Sequence, residues 1–250
     1  MGGLGAGPLL AGILAQYAPL PLTLCFIMDL VLVVAAVVAV QLVPEPVRRV
    51  HTLRLRPQKI DVPMEMRGVF TRAAIAGFAG FAVLGLFTAV CPAFLATVLH
   101  HPSHALTGAV VLSVFIASTI GQSLSSLTGE QRALMVGCVG LTAGMVLVGA
   151  SLPFHSLAVL IVGGIIAGLG QGLSFRAGLG AVTTAAPSDK RGEITSSYFV
   201  MLYIGISIPV VGEGAAAAAF GLITAGMVFA ALVAILAAVA LVLLVRSASR

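Results

Sequence analysis

Charge is what this sequence most lacks. Asp, Glu, Lys and Arg make up 8% of the 250 residues, whereas soluble domains carry about 25%. Hydrophobic residues make up 60%, and the mean hydropathy is +1.16. So few charges could not cover the surface of a soluble protein of this size. The composition therefore excludes a soluble domain and predicts a chain embedded in a lipid bilayer.

Cysteine is also scarce, and its positions exclude two kinds of site. Cys25, Cys91 and Cys138 all fall inside apolar stretches, with no CxxC pair and no Cys/His spacing of the kind that zinc sites show. We expect neither a disulfide framework nor a cysteine metal site, and we interpret the three thiols as small packing residues.

Histidine offers one further metal candidate, the segment HHPSH. Its three imidazoles are in reach of one another, but a polar turn is the interpretation we favour; they are His100, His101 and His104. No metal and no cofactor are therefore predicted.

The motifs of intramembrane enzymes are absent as well. The sequence has no HExxH, no Asp-rich diphosphate motif and no paired intramembrane Asp. Ser174 lies in GLSF, which is faintly similar to a G-x-S motif. Every histidine falls in a predicted loop, however, so no base would lie beside that serine within the membrane. We expect the protein not to be an enzyme.

What the chain does have is eight apolar stretches separated by short polar breaks. Each is long enough, or nearly so, to cross a hydrocarbon core that needs about 20 residues of helix. The runs are continuous rather than alternating, which favours helices over a membrane barrel. The predicted fold is all-α, a polytopic bundle with about eight spans: Gly2–Tyr17, Leu22–Val43, Phe70–Leu99, Ala105–Leu127, Ala133–Leu152, Ser156–Thr183, Thr195–Gly212 and Ala215–Val245.

The basic residues lie on one side of these spans. Apart from Arg176, every Lys and Arg falls in an even-numbered break, in the tail or, for Arg72, within two residues of the start of the third span: Arg48, Arg49, Arg54, Arg56, Lys59, Arg67, Arg72, Arg132, Lys190, Arg191, Arg246 and Arg250. The positive-inside rule places that side in the cytoplasm, with both termini. We expect a multi-pass protein of a bacterial-type inner membrane. Topology, with attraction to anionic lipid, explains the pI near 9.6 without nucleic acid.

One long basic loop divides the chain. Residues 1–43 form two predicted helices, residues 44–69 a cytoplasmic linker, and residues 70–250 a bundle of six. Within the sixth span, Gly164, Gly168 and Gly172 recur every fourth residue, which predicts close helix packing. Tightly packed helices of this kind can also bend or slide.

Three stretches resemble the major facilitator superfamily of secondary transporters. The opening GGLGAGPLLAG is similar to the antiporter motif of the fifth helix, through Gly3, Gly7, Pro8 and Gly12. The long basic loop followed by six spans resembles the central linker and second bundle.

The third stretch, GLGQGLSFRAGLGAVTTAAPSDKRGE, resembles the tenth helix and its cytoplasmic turn. The turn motif matches at Pro187, Arg191 and Gly192. The chain as a whole resembles the fifth to twelfth helices of the family. One departure is that Ser125 and Ser126 stand near the place of an Asp-Arg pair, with the spacing off by one.

The resemblance implies a transporter that rocks two bundles around a midplane site. The antiporter-type motif favours proton-coupled export of a small molecule. Sugar or metabolite uptake by the same fold stays open, and so does a non-transporting membrane subunit. The expected partners are the bilayer, an unidentified small molecule and protons. Because the first four helices have no counterpart, the resemblance predicts an N-terminally incomplete chain.

Four residues are candidates for lining the cavity or for gating. Arg176 is a charge within a span, able to bind an anion or a carboxylate, although snorkelling to the headgroups is the slightly favoured alternative. If their helices take the family's positions, the other three line a mixed aromatic and amide cavity; they are Gln122, Gln171 and Phe175.

Four further polar residues receive weaker assignments. Asp29 is a minor proton-relay candidate. Glu213 is expected at a solvated external mouth, after a bend at Pro209. Tyr198 and Tyr203 are expected as membrane-interface anchors.

Overall fold

The computed structural model describes residues 2–44 and 62–248. Most of the predicted linker, with Arg48, Arg49, Arg54, Arg56 and Lys59, lies outside the described residues. Every regular element in the described part is helical, so the predicted all-α fold is confirmed.

Eight helical segments follow one another in the described residues. α3 opens with a 3₁₀ turn and contains two π-helical turns, Leu86–Val90 and Phe94–Val98, on either side of Pro92. The bounds are α1 Gly2–Tyr17, α2 Pro21–Leu42, α3 Met64–Val98, α4 His104–Thr128, α5 Glu130–Ser151, α6 Leu157–Ala185, α7 Arg191–Phe220 and α8 Leu222–Ala248.

Seven of these helices, α2 to α8, are long and apolar enough to cross a membrane. The exception, α1, has 16 residues and extends over only about 24 Å at 1.5 Å per residue. The protein is a multi-pass membrane protein.

Because α4, α5, α6 and α7 are joined by short turns, consecutive helices are antiparallel. Arg132, Lys190 and Arg191 consequently lie at the same end of the bundle, which we call the basic end.

The predicted break at Glu213 is wrong. α7 continues through Pro209 and the sequence GEG to Phe220, and the chain turns only at Gly221, which has φ 85°. The two glycines at 212 and 214 weaken a helix in water. In lipid, an open turn would leave backbone groups without partners, and the alanines of residues 215–219 favour continuation. Glu213 therefore lies inside the helix.

α6 is the centre of the packing. It lies against α5, α4 and α3, while α8 packs on α5 and α3, and α7 packs on α3. The largest buried cluster joins α3, α5 and α8 through side chains such as Phe87, Leu141 and Phe229. α1 packs on α4, and α2 packs on α1 with no residue of its membrane-spanning window buried.

The glycine stripe of α6 makes the close approaches that its spacing predicts. A Cβ at Gly168 would come 2.5 Å from the Val114 carbonyl oxygen of α4, and one at Gly172 would overlap the Ser118 carbonyl. A Cβ at Gly164 would come 2.7 Å from the Phe87 ring of α3. The interpretation of these glycines as packing positions is confirmed.

Candidate functional site

Two of the four cavity candidates meet in one hydrogen-bonded group. Ser118 on α4 donates its hydroxyl hydrogen to Oε1 of Gln171 on α6. Gln122, one turn further along α4, donates through Nε2 to Ser118 Oγ over 3.2 Å. The group links two helices whose backbones touch at Gly172, so a displacement of α6 on α4 would strain these bonds directly.

Gln171 lies deeper than a cavity-lining residue would. Its side chain is fully buried, and its Nε2 is without a partner among the described residues. A Cβ at Gly80 of α3 would come 2.9 Å from Gln171 Cγ, so glycine there makes room for the amide. Gln122 is only half-buried and is the member of the group with access to the outside of the bundle.

Phe175 belongs to a different group, a set of neighbouring aromatic rings between α3, α6 and α7. Its ring centroid lies 5.6 Å from that of Phe81 and 6.1 Å from that of Phe199. The ring centroid of Tyr198 lies 6.3 Å from that of Phe199 and 6.5 Å from that of Phe70, so Tyr198 belongs to the same group of rings. Edge-on contacts of this kind add to the burial of the rings. Phe175 is half-buried and contributes an apolar wall.

The expectation for Tyr198 is wrong. The side chain is fully buried, and its hydroxyl has no partner among the described residues. Cβ atoms at Gly77 and Gly178 would come 2.8 Å and 2.6 Å from that hydroxyl, so two glycines accommodate the tyrosine. Tyr203 is 63% exposed but lies near the middle of α7.

Arg176 opens onto a cleft at the basic end. The cleft holds about 510 Å³ and is lined by α4, α5, α6 and α7, and Ser125, Ser126 and Glu130 share its wall with the arginine. Glu130 is held against α6, where its Oε1 accepts a 3.4 Å hydrogen bond from Thr184. Arg176 is exposed, so its guanidinium is open to solvent, headgroups or a ligand at this end. It is separate from both the Gln171 group and the rings.

The antiporter-type motif divides between two faces of α1. Gly12 lies against α4, where a Cβ would overlap the His104 carbonyl. The Pro8 carbonyl lies beside Gly108, whose Cβ would come within 2.6 Å of that oxygen. A Cβ at Gly3 or at Gly7 would meet nothing within 4 Å, so these two glycines face open space.

Gln16 is a functional candidate that the sequence did not reveal. Its Oε1 accepts hydrogen bonds from Ser103 Oγ at 2.8 Å and from the Ala105 amide at 2.9 Å. It thereby joins the end of α1 to the first turn of α4, whose N-terminal amides need such acceptors. A single Gln near the end of an apolar stretch predicts no particular role, because the tertiary fold determines its hydrogen-bond partners.

The turn motif builds the connection between α6 and α7. The Lys190 amide donates to the Pro187 carbonyl over 3.1 Å, and α7 begins at Arg191. Arg191 and Gly192 are both exposed, and a Cβ at Gly192 would meet nothing within 4 Å.

The remaining candidates lie apart from these groups. Asp29 is exposed on α2. Glu213, expected to be solvated, is instead buried, which corrects that assignment. In residues 2–44 and 62–248, no three His, Cys, Asp or Glu side chains lie close enough together to hold a metal ion.

The family model described as Major Facilitator Superfamily matches residues 1–210, which is most of the chain. Among curated proteins, none gives a significant match.

Proposed function

Since the chain belongs to the major facilitator superfamily, it is a membrane transporter, and we propose that it exports a small molecule in exchange for protons. The seven long apolar helices within residues 2–44 and 62–248 fit a multi-pass transporter. The direction and the coupling ion rest on the antiporter-type motif in α1.

The observation that carries this proposal is the contact between α1 and α4. Gly12 and Gly108 bring the two backbones together, and Gln16 holds one end of the contact by hydrogen bonds. We assign α1 and α2 to the first bundle of the transporter and α3 to α8 to the second. The contact then joins the two bundles. Small residues let helices slide while staying packed, which suits rocking of one bundle on the other.

The polar groups are placed to respond to such a movement. The Gln122–Ser118–Gln171 group lies on α4, the helix that α1 contacts, and ties it to α6. Arg176 lies further along α6, facing the cleft at the basic end. We assign Gln122 and Phe175 to the substrate cavity, and Arg176 to gating or charge selection at the basic end.

The orientation follows from charge. The basic end carries Arg132, Lys190 and Arg191, and the loop before α3 adds further basic residues. We assign this end to the cytoplasm of an inner membrane, with both termini on that side.

A cell-accumulation assay tests the direction of transport. The gene is expressed in a strain lacking its main exporters, and uptake of a panel of radiolabelled compounds is followed. Export predicts that at least one compound accumulates less than in cells carrying an empty vector. Greater accumulation of a sugar or metabolite would instead establish uptake and overturn the proposal.

A further inference from the structure

An apolar groove runs along the outside of α3, between α7 and α8. Two adjoining cavities of about 380 and 270 Å³ form it, and they share Phe78 and Leu236. The larger cavity reaches Ala216 of α7, and the smaller one reaches Met201, 15 residues earlier in the same helix. At 1.5 Å per residue the groove is about 22 Å long. It therefore follows most of a hydrocarbon core that is about 30 Å thick.

The walls of the groove offer almost no polar atom. The smaller cavity is lined by apolar side chains and one threonine, Thr71. Glu213 lines the larger cavity, but both of its carboxyl oxygens are buried away from the space. Ile208 of α7 and Leu232 of α8 line the groove and are 65% and 62% exposed, so it opens sideways on the hydrocarbon of the bilayer. Its occupant must therefore be apolar along its length.

Arg67 stands at the basic end of this groove. α3 begins at that end, because it finishes next to the start of α4, which runs back to it. Arg67 lies one turn before Thr71 and two turns before Ala74, so it shares the face of α3 that lines the smaller cavity. Glu65 is two residues away and does not share that face. Arg67 Nε donates to the Val62 carbonyl over 3.2 Å, which directs the exposed guanidinium beyond the start of the helix, toward the headgroups.

We propose that the groove binds an anionic phospholipid of the bilayer, with one acyl chain between α7 and α8 and the phosphate at Arg67. An acyl chain is long, thin and apolar, as the groove requires. A helix about 10 Å across needs far more volume than the two cavities hold, so a partner helix does not fit within them. The guanidinium supplies the charge that attracts an anionic headgroup. This inference is independent of the transported substrate and of the direction of transport.

The absence of tryptophan from the chain permits a test by single-tryptophan fluorescence. Phe78→Trp places the fluorophore where the two cavities meet, and Leu236→Trp gives a second reporter from α8. Val146→Trp is the control, on a 59% exposed position of α5 at a similar distance from the basic end. Each variant is reconstituted in phosphatidylcholine vesicles with brominated phosphatidylcholine or brominated phosphatidylglycerol at equal mole fraction, since bromine quenches a tryptophan that it touches.

Both groove reporters should prefer the anionic lipid. We expect brominated phosphatidylglycerol to bind there roughly fivefold more tightly than brominated phosphatidylcholine, the effect of one basic residue near an anionic lipid. The two lipids should quench Val146→Trp equally. Arg67→Gln should remove the preference at the groove reporters, whereas Arg132→Gln, at an exposed arginine in the first turn of α5, should keep it. Thr71→Phe narrows the smaller cavity and should weaken quenching by both lipids.

Elution and melting of each variant show whether it is folded, and the two groove reporters are independent of each other. Equal quenching by the two lipids in the groove, the same preference at Val146→Trp, or a preference that survives Arg67→Gln would overturn the proposal. Absence of quenching by either lipid at both groove reporters would show that another surface covers the groove, and would overturn it as well.

Discussion

Gly172 of α6 lies directly on the backbone of Ser118 in α4, with no room for even one methyl group between them. The hydroxyl of the same serine donates to Gln171, the residue before that glycine. One position therefore fixes both the approach of the two helices and the polar group between them. Access to Gln122 and the placement of α1 on α4 depend on how these helices meet.

Adding a methyl group at this contact should destabilise the bundle. Gly172→Ala forces α4 and α6 apart, and we expect a loss of about 1–3 kcal/mol, as for other overpacked cores. The matched control is Gly192→Ala, where the new Cβ meets nothing within 4 Å. That change should be neutral or slightly stabilising, since alanine is the better helix former. Thermal unfolding in detergent measures both; equal melting temperatures would contradict the packing described.

The two faces of α1 should respond differently to substitution. Gly12→Leu places a side chain on the His104 carbonyl and should separate α1 from α4, lowering the melting temperature. Gly7→Leu meets open space within the described chain. It should leave stability and membrane insertion intact yet abolish transport, because we assign this face of the antiporter-type motif to the transport movement. Unchanged transport by Gly7→Leu would mean that the motif match is accidental.

Substitutions at Arg176 distinguish gating or charge selection from snorkelling, because the two roles depend on different properties of the side chain's head group. Lysine keeps the charge and the ability to reach headgroups but loses the planar fork that pairs with carboxylates. If Arg176 acts in gating or charge selection, Arg176→Lys and Arg176→Gln should both impair transport at normal expression. Wild-type rates for the lysine variant across the substrate panel would leave only the snorkelling role.

Labelling from one side of the membrane tests the orientation. In a variant without Cys25, Cys91 and Cys138, a single cysteine replaces Thr52 in the basic loop or His101 between α3 and α4. An impermeant maleimide added to intact cells should label His101→Cys only. Labelling of Thr52→Cys from outside would reverse the assignment of the basic end to the cytoplasm.

Hydropathy predicts most of the fold because lipid imposes a simple rule. Each span must satisfy the hydrogen-bonding groups of its own backbone, which it does as a helix of about 20 residues. Hydropathy also gives the bounds of α1, which begins and ends where the apolar run does. Hydropathy does not predict the boundary between α7 and α8 correctly. Gly-Glu-Gly looks like a break in composition, but the alanines after it continue the helix, and the turn is a single glycine at 221.

The candidate site was less predictable, because side-chain partners are set by tertiary contacts. The glycines of α6 predict that another helix approaches closely, but they do not predict which helix it is. Tyr198 looks like an interface residue by type and is buried because Gly77 and Gly178, far apart in sequence, make space for it. Gln16 and Glu213 acquire their surroundings only when α4 and α8 pack beside them.

Exchange of a substrate for protons is the central claim, and a pH-sensitive dye in everted vesicles measures it directly. Respiration acidifies the lumen and quenches the dye. A substrate found in the accumulation assay should then restore fluorescence in vesicles with the wild-type protein, as protons leave in exchange, and should have a much smaller effect with Arg176→Gln. Substrate uptake that leaves fluorescence unchanged, and that continues when a protonophore removes the gradient, would contradict the account.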